Sequence, residues 1–302
     1  MYFAVESHDP AFWRDGLLQT VLGAPQVHWF ALVDGAFDQD GTPFVSPEGQ
    51  VPLYGRSSTL HDLLPAPPYL VPLNRRSGAD LRAMVTALGT HCQGRPMLSF
   101  LASWKSADEL VHLWQPCLQP VVVVDEGARY LLRFADTRVL SALPGVLDPA
   151  AWARLTAPLM HWCYVGRAGT LETLWLAESR AEPPTYSTRP LVLSQSDVDR
   201  LIEAALPDAI LDLMDRQAPG SLPKVGKATV YRLVAGARAL ARAHRVEAAP
   251  DIVLLASHAL ATGGAGLQAP ELLAVLGEPQ RAPGALRDYL LSAPSMPARS
   301  AG

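Results

Sequence analysis

Three charges stand in the run RYLLRFADTRVL, residues 129–140: Arg133, Asp136 and Arg138, surrounded by apolar residues. Charge in such a setting costs several kcal/mol unless it is paired and hydrogen-bonded. Three kinds of chemistry suit the spacing. Asp136 can cap the helix that starts after it and take Arg133 or Arg138 as its salt partner. The two guanidiniums can also form a fork that offers N–H donors to the carboxylates or chain terminus of another protein. Catalysis is the third. The first role does not exclude the second.

Other sites can be tested against the chemistry they would need. GSLPKVGKAT (220–229) nearly matches a phosphate loop, but five residues separate Gly220 from Gly226, and Ala228 follows Lys227 where Ser or Thr is required. Lys224 and Lys227 then read as solvated charges at the start of a helix, or as a small anionic contact. TGGAG (262–266) follows a helix, whereas a dinucleotide fingerprint follows a strand, so it reads as a helix stop and turn. There is no GxSxG elbow and no HExxH pair. His28, His112, His161 and His258 lie in apolar segments and read as core or surface histidines. Asp34, Asp38 and Asp40 crowd one turn without the ligand spacing of a calcium loop. Cys92, Cys117 and Cys163 are far apart and lack CxxC spacing, which points to reduced, buried thiols. No catalytic, cofactor-binding or metal-ligating residue is assigned.

The elements that must position the charged group follow from periodicity. VHWFALV (27–33) and RPMLSFLAS (95–103) have strand composition, as does PPYLVPL (67–73), whose prolines place it at an edge or a strand end. SGADLRAMVTALGTHC (77–92) puts Leu81, Met84, Val85 and Leu88 on one helical face, with Gly89 as its stop. Ser106 and Glu109 have capping-box spacing before a short helix that Pro116 closes. PVVVVDEGARYLLRF (120–134) reads as a hairpin turning at Asp125, Glu126 and Gly127, with Arg133 on its second strand. A helix then runs to Pro144, and DPAAWARLTAPLMHW (148–162) reads as helical, with Asp148 as N-cap and Pro149 in the first turn. TLETLWLAE (170–178) is the last strand.

After the polar, proline-containing linker SRAEPPTYSTRP the pattern becomes helical. The helices cover 194–216, with Ser194 or Ser196 as N-cap and a bend permitted at Pro207, then 230–246, 249–263 and 269–277, with GALRDYLL as one more. The expected fold is an α/β N-terminal lobe with a small mixed sheet and flanking helices over 1–185. An all-helical lobe over 186–302 follows, with a disordered tail from about residue 293.

Composition narrows the function. Of the 302 residues, 49% are hydrophobic and 18% charged, which leaves apolar surface to spare. The 25 basic and 29 acidic residues give a net charge of −4, too weak a field to gather polyanions, so no nucleic-acid partner is expected. The opening MYFAVESHDPAFW lacks the basic and apolar regions of a signal peptide, and no run approaches the ~18 apolar residues of a spanning helix. Cytoplasmic residence without stable membrane insertion is the expectation.

Four segments carry a resemblance: HWFALVDGAFDQDG (28–41), LYGRSSTLHDLLPAPPYLVPL (53–73), ELVHLWQP (109–116) and RYLLRFADTRVLSALPGVLDPAAWARLTAPL (129–159). Their order and spacing resemble a bacterial family long catalogued as a domain of unknown function and similar to the adaptors, or effector chaperones, of type VI secretion. GARALARAHRVEAAPDIVLLASHAL (236–260) resembles the family's variable C-terminal lobe. The family's LVDGA start falls on Leu32, Val33, Asp34, Gly35 and Ala36. Its Arg-Phe-Tyr-Asp-Pro-Arg core falls on Arg133, Phe134, Ala135, Asp136, Thr137 and Arg138, with Ala135 replacing an aromatic and Thr137 a proline. Its His-Leu-Arg-Arg helix continues here as His112, Leu113, Trp114 and Gln115.

The resemblance implies a non-enzymatic adaptor without cofactor. It would bind a toxic effector in the producing cell, with the helical lobe holding cargo, and help load it onto the trimeric spike protein. The loss of two arginines favours an apolar partner patch centred on Trp114. Trp29, Trp104, Trp152 and Trp162 are further candidate anchors. Arg133, Asp136, Arg138, Asp34 and Trp114 are the candidate partner-binding or structural residues. A structural subunit of another complex is the alternative, and a small-molecule hydrolase the next.

Overall fold

A computed structural model describes residues 2–7, 9–38, 41–45, 49–54, 60, 66–73, 77–122, 130–176, 188–278, 282 and 284–292. It divides into two compact units, Val5–Ala204 and Met1–Ala4 with Ala205–Gly302. The sequence reading put the division at residue 185, where the composition changes. The structural division falls about 20 residues later, inside a continuous helix.

The first unit is built on an antiparallel sheet. Its strands are β1 (His28–Asp34), β2 (Val51–Pro52), β3 (Pro68–Pro72), β4 (Leu98–Ser103), β6 (Leu159–Val165) and β7 (Leu171–Thr173), in the order β2-β3-β1-β4-β6-β7. β1 is buried at every position after His28. A strand covered on both faces needs no polar alternation, which is why its sequence is continuously apolar. One face carries Phe30, Leu32, Leu70, Leu101 and Trp162 into a core with α3 (Ala107–Leu118), α4 (Thr137–Val146) and α5 (Pro149–Thr156). On the other face Phe100 meets Trp13 of α1 (Ala11–Gly23) at 5.5 Å between ring centroids. α1 packs against α2 (Gly78–His91).

Several boundaries differ from the sequence reading for identifiable reasons. α2 runs past Gly89, which is a close-packing residue: a Cβ there would lie 2.5 Å from the Pro10 ring. Pro116 and Pro144 sit inside α3 and α4, in the final turn of each, where a missing N–H costs one hydrogen bond and breaks nothing downstream. The Ser106–Glu109 capping box and the Asp148 cap form as read. α5 stops at Thr156, and the segment read as its continuation is β6, a paired strand rich in aromatic and β-branched residues. α1 had no counterpart in the reading.

The hairpin turn read at 125–127 lies outside the described residues. Its flanks adjoin, with Tyr130 N donating to Pro120 O at 3.3 Å and Leu132 N to Leu118 O at 2.9 Å. Arg133 is nevertheless on no strand, because β5 (Val121–Val122) pairs in parallel with β8 (Val192–Leu193) instead. Residues 179–187 of the linker read at 179–190, and the tail from 293, also lie outside the described residues.

α6 (Gln195–Gln217) is continuous through Pro207. Ser194 caps it: Asp197 N donates to its Oγ at 3.1 Å, and Ser194 N donates back to Asp197 Oδ2 at 2.8 Å. The second unit gathers α7 (Lys227–Ala243), α8 (Ala249–Ala261), α9 (Pro270–Gly277) and α10 (Ala285–Ser292). Val230, Val234, Ala237 and Ala241, one helical stripe of α7, share a core with Leu255, Ala256 and Ala259 of α8. Ala4 belongs to the same core, and Tyr2 N donates to Asp212 Oδ1 at 3.2 Å, so the first residues of the chain complete this unit. Among the described residues no helix is long and apolar enough to cross a membrane.

Candidate functional site

β1 delivers Asp34 to the edge of the core with no exposed surface, and the chain then turns through a single 3-10 turn, Gly35–Phe37. The turn is shaped by two contacts. Ala36 N donates to Asp34 Oδ1 at 3.2 Å, and Gly35 lies so close to Pro67 that a Cβ would sit 2.4 Å from its carbonyl oxygen. Only glycine allows that approach.

Arg133 arrives from the segment just before α4, which is in no strand or helix, and donates from Nη2 to Asp34 Oδ2 at 2.8 Å. Burial pushes the Asp34 carboxyl upward, and the charge of Asp136 adds to that rise, while the Arg133 guanidinium opposes it. Tyr54 lies in the same field; burial and then the Asp34 charge push its hydroxyl up to about 12.

Asp136 is the N-cap of α4 and accepts from Arg138 N at 3.0 Å. Arg138 closes a bidentate pair on it, Nε to Oδ1 at 3.0 Å and Nη2 to Oδ2 at 2.7 Å. Both guanidiniums then lie over the ring of Phe37, at 4.9 Å for Arg133 and 5.3 Å for Arg138. The structure thus brings together Asp34, Arg133, Asp136 and Arg138 as two ion pairs on an aromatic platform. The carboxylates are inside; the Arg133 side chain remains 33% exposed and that of Arg138 19%. The arrangement holds the turn, α4 and the Arg133 segment together, and it leaves both arginine side chains partly exposed.

Trp114 does not join this surface. It is buried, donates from Nε1 to Leu155 O at 3.0 Å, and packs on Phe134 at 5.1 Å and Trp162 at 5.9 Å. The apolar patch expected around it is therefore core, because the α3 face that carries it turns toward the sheet. Trp29, Trp152 and Trp162 are buried as well, whereas Trp104 is 58% exposed. Trp175, which the reading passed over, is 69% exposed just beyond β7.

Phe37 was also missed. Its only sequence signal is an aromatic three residues after Asp34 in a turn otherwise made of small and acidic residues. The three turn aspartates separate: Asp34 binds Arg133, Asp38 meets His91 at 2.7 Å, and Asp40 lies outside the described residues. Among the described residues, no group of three or more His, Cys, Asp or Glu is placed to hold a metal ion. His28 stacks on Phe30, and His161 packs on Trp29, where burial lowers its pKa. Cys92, Cys117 and Cys163 are free and buried, as read, and burial pushes each thiol upward.

Residues 29–154 match the model of the family described as Domain of unknown function (DUF4123). The DUF4123 match runs from β1 into α5 and encloses Asp34, Phe37, His91, Trp114, Arg133, Asp136 and Arg138. It leaves out β6 to β8 and the helical unit. No curated protein and no solved structure matches the chain.

Proposed function

We propose that the chain is a non-enzymatic adaptor that binds a type VI secretion effector in the producing cell and helps load it onto the trimeric spike protein. The observation that carries this reading is the platform of Phe37, Arg133 and Arg138 within the DUF4123 segment. Its guanidiniums are oriented by buried carboxylates, so they meet a partner's acidic groups with little further loss of side-chain freedom. The exposed indoles of Trp104 and Trp175 add apolar area of the kind that anchors protein contacts.

The reading is tested by secretion. Deleting the gene in the producing bacterium should abolish delivery of one effector while the injection machine stays active, and the wild-type gene should restore it. Delivery of every effector at wild-type levels would overturn the reading. In that case a fixed subunit of another complex is the alternative to pursue.

A further inference from the structure

The turn that carries Phe37 is held from its far side as well. Asp38, the next residue, has a nearly buried carboxylate that meets His91 Nε2 at 2.7 Å in the last turn of α2. A carboxylate only accepts hydrogen bonds, so Nε2 is the donor. The hydroxyl of Tyr69 on β3 lies 3.3 Å from the same oxygen, Phe44 packs edge-on against the imidazole at 5.6 Å, and Arg95 Nη1 donates to Phe37 O at 2.5 Å. The titratable and charged groups of this cluster are therefore Asp38, His91, Tyr69, Arg95 and the buried Cys92, which feels both Asp38 and Arg95. Burial pushes the Tyr69 hydroxyl and the Cys92 thiol away from neutral pH. His91 brings an imidazole to this cluster, the side-chain type that serves as a proton switch in proteins.

We propose that the His91–Asp38 pair is a pH-responsive latch that positions Phe37, and through Phe37 the guanidiniums of Arg133 and Arg138. Its use in partner binding rests on the adaptor reading; the latch itself does not. When His91 is protonated, Coulomb attraction adds to the hydrogen bond and the turn is held tightly. When the ring is neutral the hydrogen bond alone remains, and the platform loosens. His91 touches neither arginine in this chain of contacts, so it acts as a positioning residue.

The test is side-chain NMR of the full chain without any partner, following the arginine Nε–Hε and histidine ring signals from pH 5 to 8. The Arg133 and Arg138 signals should move with the midpoint of the His91 ring. In His91→Gln, which keeps an amide donor but does not titrate, the movement that shares the His91 midpoint should disappear, whereas any movement of Arg133 driven by its buried partner Asp34 should remain and should be absent in Asp34→Asn. Flat arginine signals in the wild type, or an unchanged transition in His91→Gln, would overturn the latch. If His91→Gln does not fold, the wild-type midpoints decide alone, because separate midpoints for His91 and the arginines reject the coupling. None of these outcomes depends on secretion, so the latch and the adaptor reading fail separately.

Discussion

Arg133 and Asp34 are 99 residues apart in the chain and 2.8 Å apart in the fold, with the carboxylate buried and the arginine side chain one-third exposed. This pair fastens the segment before α4 to the end of the central strand. It also fixes the sign of one pH effect. The Asp34 carboxyl sits above its unfolded value, so the folded state holds the extra proton and the contribution of Asp34 to stability declines as pH rises through that raised range. Denaturant melts of Asp34→Asn between pH 4 and 7 should show a weaker decline than the wild type. Arg133→Ala, which leaves the charge uncompensated, should show a steeper one. Parallel profiles for all three proteins would contradict the pairing.

Asp136 serves as cap and as ion-pair partner at once. Asp136→Ala should lower stability by about 1–3 kcal/mol, read as a drop in melting temperature. Asp136→Asn keeps a capping oxygen and should lose less. A melt of Asp136→Ala that is unchanged within error would remove the structural role and leave recognition alone.

Gly35→Ala tests the turn. The new methyl would meet a backbone carbonyl that has no rotamer to move away, so stability should fall by about 1–3 kcal/mol. Thermal unfolding measures it, and a neutral result would show that the turn can shift away from Pro67.

The two classes of tryptophan should respond in opposite ways. Trp114→Ala empties a buried site and should cost about 3–5 kcal/mol in a denaturant melt. Trp104→Ala should change stability by less than ~0.5 kcal/mol, so any loss of partner binding in that variant reports on contact. A large destabilisation by Trp104→Ala would withdraw it as a surface anchor.

What the sequence revealed and what it hid have physical causes. Caps were legible because Ser106, Asp136 and Asp148 act within three residues of themselves. β1 was legible because burial on both faces leaves an unbroken apolar run. The charged group was legible as a cost, since Arg133, Asp136 and Arg138 stand out against apolar neighbours. Asp34 entered the group through the family resemblance, but its pairing with Arg133 and the parts played by Phe37 and His91 were not legible, because strand order and turn geometry bring them together and local patterns do not encode those. Trp114 lies on the buried face of α3 and Trp104 in the bend just after β4, and a tryptophan looks the same in either setting. β6 was hidden for a related reason: its residues continue the apolar character of α5, and only Ala157 and Pro158 separate them.

The most direct measurement of the central claim is affinity recovery of the tagged chain from its native bacterium. It would use the wild type beside Arg133→Lys, which keeps the charge but loses the guanidinium fork, with mass spectrometry and size-exclusion chromatography of the bound material. The account predicts one toxin-like protein at stoichiometric yield with the wild type, with or without a spike subunit, and clearly less of it with Arg133→Lys at equal folded yield. Nothing above background with a folded, abundant wild type would contradict the adaptor function. Equal recovery by both proteins would contradict the role of the arginine platform.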